Sequence, residues 1–241
     1  MKQKLLLCTI TLFLSVLFLS CKEKHNYQEE IQGKWLCQEV NNFIVPTSEA
    51  FVVQFSSDMS MIKASGHTFS ADSSLWIESR LNYDIEENEI LVSGQNGLGE
   101  QVNEKYVIRI STDSKLLFEQ GSNSYILYRI NDNILENLVG NWEGFVVRNV
   151  DTVSLDMQFS TTGELLLKEN DVTTISGTYK VYGNLLTVNF TPVNKTDYSA
   201  YSNWLVNFED GNENKMSLIQ YFPIAGTHDL SVLKYSLERV D

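Results

Sequence analysis

Beyond its first 26 residues this chain is built from short stretches in which apolar and polar positions alternate with a period of two, the spacing of half-buried strands. The alternation is clearest in Tyr106-Val107-Ile108-Arg109-Ile110 and in Leu165 to Lys168. It predicts eight strands at 34–41, 50–56, 59–65, 75–85, 89–94, 104–111, 115–120 and 125–131. Eight more follow at 141–148, 152–159, 164–169, 174–182, 184–190, 202–209, 215–220 and 232–240. Turn residues stand in the gaps: Ser57-Asp58, Glu87-Asn88, Gly183-Asn184 and Asp210-Gly211-Asn212. Loops this short make successive strands antiparallel neighbours. Eight such strands hide both edges of a sheet by closing on themselves, so each half is expected to form an up-and-down barrel. Helical spacing is confined to Tyr27–Ile31 and Ile134–Leu138, each just ahead of a first strand. Pro46, Pro192 and Pro223 are expected in loops, since proline has no donor for a ladder.

The two halves repeat one another. Gly33-Lys34-Trp35 returns as Gly140-Asn141-Trp142, and Gln54-Phe55-Ser56 as Gln158-Phe159-Ser160. The segment from Tyr83 to Ile90 aligns with Tyr179 to Leu186, and Tyr125 to Ile130 aligns with Tyr235 to Val240. The matches keep their order at offsets near 105 residues, too long a period for a solenoid, so the chain reads as two tandem copies of one domain. The expected organisation is a leader at 1–20, a tether at 21–26, a first barrel at 27–131 and a second at 132–241. The seam falls near Asn131-Asp132-Asn133, with almost no linker.

The leader has its own chemistry. Lys2 and Lys4 precede a charge-free apolar run from Leu5 to Leu19, which ends at Ser20-Cys21. Fifteen residues of helix span about 22 Å against the roughly 30 Å of a bilayer core, so the run reads as a secretory signal rather than a permanent span. Its end resembles the lipobox of bacterial lipoproteins. Phe18 stands where the enterobacterial form prefers Leu, similar to the relaxed version of Bacteroides-type bacteria. That resemblance implies a lipid on Cys21 and export to a bacterial membrane, the outer membrane expected, at its periplasmic or surface face. Lys22-Glu23-Lys24 behind it is similar to the surface-export signal of the same bacteria. Two or three acyl chains would make the attachment effectively permanent. The other reading is an ordinary signal peptide with Cys21 as a bystander.

Charge and cysteine content narrow the partners. Without residues 1–20 the chain carries 16 basic and 31 acidic side chains, a net charge of −15. Such an excess repels phosphate backbones and argues against nucleic acid. The 43% apolar content suits a folded body. Of three cysteines, Cys8 leaves with the leader and Cys21 is assigned to lipid, so Cys37 is alone and is read as a small buried residue.

A short helix, Gly-x-Trp on the first strand and an arginine in the last strand together resemble the lipocalin superfamily. More narrowly, the chain resembles the short lipocalin-like domains of lipoproteins from Bacteroides-type bacteria. The resemblance implies a barrel floor in which the tryptophan packs under the arginine, Trp35 with Arg129 and Trp142 with Arg239, beside Gly33 and Gly140. Trp76 and Trp204 lack counterparts in the other unit, and are read either as core or inter-domain residues or as lining of a ligand cavity.

Catalytic and metal signals are missing from the sequence. There is no Gly-x-Ser-x-Gly elbow, and His25, His67 and His228 share no ligand spacing. Gly94, Gly97 and Gly99 precede no helix and read as a hairpin turn, and Glu209 to Asn214 departs from a calcium-loop order. No cofactor, no metal and no enzymatic activity are therefore expected. The expected function is a cell-envelope lipoprotein holding a small apolar or amphipathic ligand in a barrel. The alternative is a non-catalytic interaction module that contacts another envelope protein or a surface glycan.

Overall fold

The computed structural model describes residues 26–241 apart from 71–72, 131–133, 192–200, 210–211, 228 and 241. The leader, Cys21, the seam at 131–133, Pro192 and His228 lie outside the described residues. The chain forms two closed antiparallel barrels. The first contains α1 (Tyr27–Glu30), β1 (Gly33–Val40), β2 (Phe43–Ile44), β3 (Phe51–Phe55), β4 (Ser60–Ser70), β5 (Ser73–Glu86), β6 (Glu89–Gln95), β7 (Gln101–Ser111), β8 (Lys115–Gln120) and β9 (Asn123–Arg129). Strands β1 and β3 to β9 run in chain order and close by pairing β1 with β9, while β2 is a short flap folded back on the end of β1. The second contains α2 (Leu135–Leu138) and β10 (Gly140–Arg148), β11 (Asp151–Phe159), β12 (Glu164–Glu169), β13 (Thr173–Tyr182), β14 (Leu185–Phe190), β15 (Tyr201–Glu209), β16 (Asn212–Pro223) and β17 (Leu230–Val240), closed by β10 on β17.

Alternation decides what fills each barrel. In barrel 1, Trp35, Val53, Phe55, Met61, Leu81, Tyr83, Ile90, Ile108 and Leu127 point inward and form one buried cluster. In barrel 2 the corresponding cluster includes Trp142, Met157, Phe159, Leu165, Tyr179, Leu186, Val206 and Leu237. The residues that recur in the sequence are residues that touch. Tyr83 packs edge-on to Phe55 at 5.1 Å and donates its hydroxyl hydrogen to the Ser56 carbonyl at 2.8 Å. Tyr179 does the same with Phe159 at 5.2 Å and Ser160 at 2.6 Å. Two proline positions are in strand-terminal or loop settings: Pro46 lies in the loop after β2, but Pro223 is the last residue of β16, paired with Leu230. A strand end tolerates it because no further ladder bond is needed there.

The barrels stand side by side. Small and apolar residues on the outer wall of barrel 1, Leu36, Ala50, Val52, Ala64 and Trp76, bury against Leu185 and Tyr201 of barrel 2. The hairpin of β4 and β5 runs past the end of β6, whose pairing with β5 begins only at Leu81 opposite Gly94. That leaves the backbone of Trp76 without a strand neighbour on one edge, and Asn189 of β14 supplies the partner. Its side-chain amide accepts from the Trp76 N–H at 2.8 Å and donates to the Trp76 carbonyl at 3.2 Å. Gly66, opposite Trp76 on β4, makes room for Tyr201, since a Cβ there would lie 2.0 Å from the tyrosine oxygen. Ile130, at the floor of barrel 1, packs on Gly183 in the turn at the floor of barrel 2. At the opposite end, Thr47 accepts a hydrogen bond from Asn203 on its carbonyl at 3.0 Å and contacts the Tyr221 backbone. Floor thus stands beside floor and mouth beside mouth.

Glu78 adds charge to this contact, 2.7 Å from Lys180 and hydrogen-bonded by Tyr182. Burial alone would raise its carboxyl, but the bonds from Lys180 and Tyr182 outweigh it and hold the group below the usual carboxylate range. A depressed folded-state pKa contributes stability that is present above the unfolded value and lost as pH falls through the folded one. Denaturation midpoints should therefore drop as pH falls below about 4, and Glu78→Gln should flatten that dependence. Gly66→Ala should cost about 1–3 kcal/mol by overpacking, with part of the loss recovered in a Gly66→Ala, Tyr201→Leu double variant. Equal losses in the single and double variants would place the strain elsewhere.

Candidate functional site

Among the described residues the floors are the most elaborated constellations, and each is built on the strand pair that closes its barrel. The ladder sets Trp35 opposite Arg129 and Trp142 opposite Arg239. Each indole is fully buried. The guanidinium carbon lies 4.0 Å from the ring centre of Trp35 in one barrel and 4.5 Å from that of Trp142 in the other. The indole N–H donates back to the preceding helix, Trp35 to the Ile31 carbonyl at 2.7 Å and Trp142 to the Leu138 carbonyl at 2.8 Å. The arginines donate to the same turns: Arg129 to Gln32 at 2.6 Å and Glu30 at 3.0 Å, Arg239 to Val139 at 2.7 Å and Asn137 at 2.5 Å. Arg129 also donates to the Asp113 carbonyl. One planar cation thus covers the ring and satisfies carbonyls left free at the helix end. The glycine of Gly-x-Trp is required twice over. Gly33 and Gly140 sit at φ +117° and +136°, and a Cβ on either would stand 2.6 Å from the arginine Nη1. No reacting atom is exposed here; the arrangement seals an end.

Above the floor, barrel 1 is filled by its own side chains. A cavity there, bounded by Phe51, Phe55, Met61, Tyr106, Phe118 and Tyr125, is about 20 Å3, room for one water. Toward the mouth, two inward positions carry charge. Lys63 lies 3.3 Å from Glu104, whose carboxylate accepts the Tyr106 hydroxyl at 2.5 Å, and Lys63 also faces the Phe51 ring. Burial, then the bond to Glu104, pushes the Tyr106 phenol far above its ordinary range, so it remains a donor. A lysine and a glutamate at places where the alternation asks for apolar residues were a visible signal in the sequence that the pattern reading passed over. Cys37 also faces this interior; burial pushes its thiol up to about 12, which makes it an inert sulfur rather than a nucleophile.

In barrel 2, Trp204 lies within the core, edge-on to Phe190 at 6.1 Å and Tyr235 at 6.0 Å. It occupies the position that Tyr106 holds in barrel 1: two residues further on, Val206 and Ile108 make equivalent backbone bonds to Asn184 and Asn88. Trp76 lies between the barrels, its indole N–H 3.4 Å from the Tyr182 hydroxyl. The structure thus puts Trp76 and Trp204 in two separate clusters, one at the contact of the barrels and one in a core. Neither lines the cavity of barrel 1.

A concavity also lies on the outside. A groove of about 660 Å3 runs over the outer wall of barrel 2, where Glu143 and Phe145 of β10 stand between residues of β11 and β17. Among the described residues, no group of three or more His, Cys, Asp or Glu side chains could hold a metal ion, and no helix is long and apolar enough to cross a membrane.

No protein-family model matches the chain, and no curated protein matches it. Among solved structures, it is similar to a protein of unknown function of the DUF3598 family from Nostoc punctiforme. That structure is 12% identical over 91% of this chain and 100% of the other, with a TM-score of 0.25. A Bacteroides fragilis protein provisionally described as an outer membrane protein is 14% identical over 90% of this chain and 100% of its own, TM-score 0.25. A porin-like protein from Bacteroides uniformis is 8% identical over 87% of this chain and 96% of its own, TM-score 0.20. Likenesses this slight say nothing of what the chain does.

The floor geometry makes a direct prediction. Gly140→Ala should destabilise the fold by about 1–3 kcal/mol in chemical denaturation, through strain at positive φ and collision with Arg239. Arg239→Lys, which keeps the charge but loses the fork, should cost a similar amount. A lysine variant as stable as the parent would mean that charge alone holds the floor.

Proposed function

We propose that this protein is a non-catalytic envelope lipoprotein that binds its partners on the outer walls of its barrels, the lumens serving as packed cores. The observation that carries this reading is the packed interior of barrel 1, where the cavity among the core side chains is about 20 Å3 against the several hundred that a drug-sized ligand occupies. A floor sealed by an arginine and a mouth crossed by the Lys63–Glu104 pair favour the same view. The alternative in which an apolar ligand sits in a barrel requires side chains to vacate a close-packed core, at a cost of several kcal/mol.

Export rests on the leader, and lipid attachment on the resemblance of Phe18-Leu19-Ser20-Cys21 to a lipobox. The fold adds an orientation. Asn26 starts α1 at the floor of barrel 1, so a lipid on Cys21 would lie no more than about 17 Å of extended chain away. With the floors side by side, both would face the membrane and both mouths would face away from it. A probe on Glu136→Cys, exposed in α2 at the floor of barrel 2, should then be quenched by nitroxide lipids, and one on Val172→Cys in the turn between β12 and β13 should not. The buried Cys37 should not compete for the label.

Two measurements test the reading. Cys21→Ala should move the protein from the membrane fraction to the soluble one; retention in the membrane would contradict the anchor. Native mass spectrometry of that soluble form should give the bare polypeptide mass, whereas a stoichiometric small apolar molecule would return the function to the barrel lumen.

A further inference from the structure

The outer wall of an eight-stranded barrel is convex by construction, and the groove on barrel 2 needs a local cause. Gly144 supplies it. A Cβ at this position would stand 1.9 Å from the Ser236 carbonyl oxygen and 2.9 Å from the Leu237 Cα, so β10 and β17 close up further here than any side chain permits. Alternation then decides what the groove presents. Phe145 is 48% exposed and pairs with Ser154 on one side and Ser236 on the other, an aromatic face between two hydroxyls. One step toward the floor, Glu143 lies between Asp156 and Glu238. The outer two carboxylates are occupied: Lys168 holds Asp156 at 3.0 Å and Lys215 holds Glu238 at 2.5 Å. Among the described residues no cation pairs with Glu143, at the centre of the row.

We propose that this groove is a saccharide-binding site, with Phe145 as the stacking platform and Glu143 as the acceptor for sugar hydroxyls. The inference rests on the reading above that binding takes place on the outer walls. A pyranose presents an apolar C–H face and a rim of hydroxyls, and it is matched by an exposed ring beside polar groups. Phe145 is the exposed ring, and Glu143, Asp156 and Glu238 are the polar groups beside it. The volume lies within the range of small-ligand sites. Glu143, left without a cation at the centre of the row, disfavours an anionic group there, and the polar lining disfavours a purely apolar ligand.

The test is saturation-transfer NMR on the full mature chain carrying Cys21→Ala, with maltotriose, cellotriose, mannotriose and chitotriose as probes and oligolysine as the competing class. At least one trisaccharide should receive saturation on its ring protons. Phe145→Ala and Glu143→Gln should each weaken that binding tenfold or more, and Val232→Ala, exposed on the same strand as Ser236 but outside the groove, should leave it unchanged. Both substituted groove residues are exposed, so unchanged circular dichroism is expected in each. Absence of transfer to all four sugars, or binding indifferent to Phe145→Ala, would overturn the proposal. Oligolysine bound in place of every sugar would assign the groove to basic peptides, also against it, while leaving outer-wall binding intact. A small molecule retained within a barrel would instead count against the wider reading.

Discussion

The structure depends on a planar cation laid over an indole at the seam where each barrel closes. The first and last strands of a unit are the pair most distant in sequence, so their meeting carries the largest loop-closure cost of any contact in the domain. In both barrels that meeting is marked by an arginine opposite a tryptophan, with the same arginine reaching carbonyls of the preceding helical turn. One side chain therefore fixes the register of the closing pair, covers the buried ring and ties the helix across the barrel end. Neither Lys, which lacks the fork, nor a residue larger than glycine two positions before the tryptophan satisfies the same geometry.

Above the floor, packing continues into the lumen. The ring of Trp35 or Trp142 is the first layer of a stack that continues through Phe55 and Tyr83 in one barrel, and through Phe159 and Tyr179 in the other. With the interior of barrel 1 filled, the surfaces open to evolutionary change are the outer walls. The two barrels use those walls differently. Barrel 1 spends its wall of small residues on contact with barrel 2, and Gly66 and Asn189 exist to complete that contact. Barrel 2 keeps an uncovered wall, pinched at Gly144 into a groove.

The sequence carried the parts of this that depend on near neighbours and on repetition. Period-two alternation located all sixteen barrel strands, and the doubled Gly-x-Trp and Tyr–Ser matches marked the residues that turned out to touch. The two-residue flap of β2 was too short to produce a pattern, and the overhang of β4 and β5 past the barrel rim followed from packing on another domain. Trp76 could not be assigned to the contact between barrels without knowing which walls meet. The groove was equally hidden, because its row of charges comes from β12, β11, β10, β17 and β16, adjacent only through the ladder. Lys63 and Glu104 were legible in principle, as charges on inward positions, yet a single breach of alternation in a strand looks like noise until its partner is known.

The central claim is that the arginine-covered indoles are the last parts of each barrel to open. Hydrogen exchange at the indole N–H groups of Trp35 and Trp142, followed by NMR across a denaturant series, tests it most directly. Both hydrogens should exchange only through global unfolding, with the full denaturant dependence of the folded protein. Exchange of either by a local opening, with little denaturant dependence and a free energy well below that of unfolding, would contradict the account.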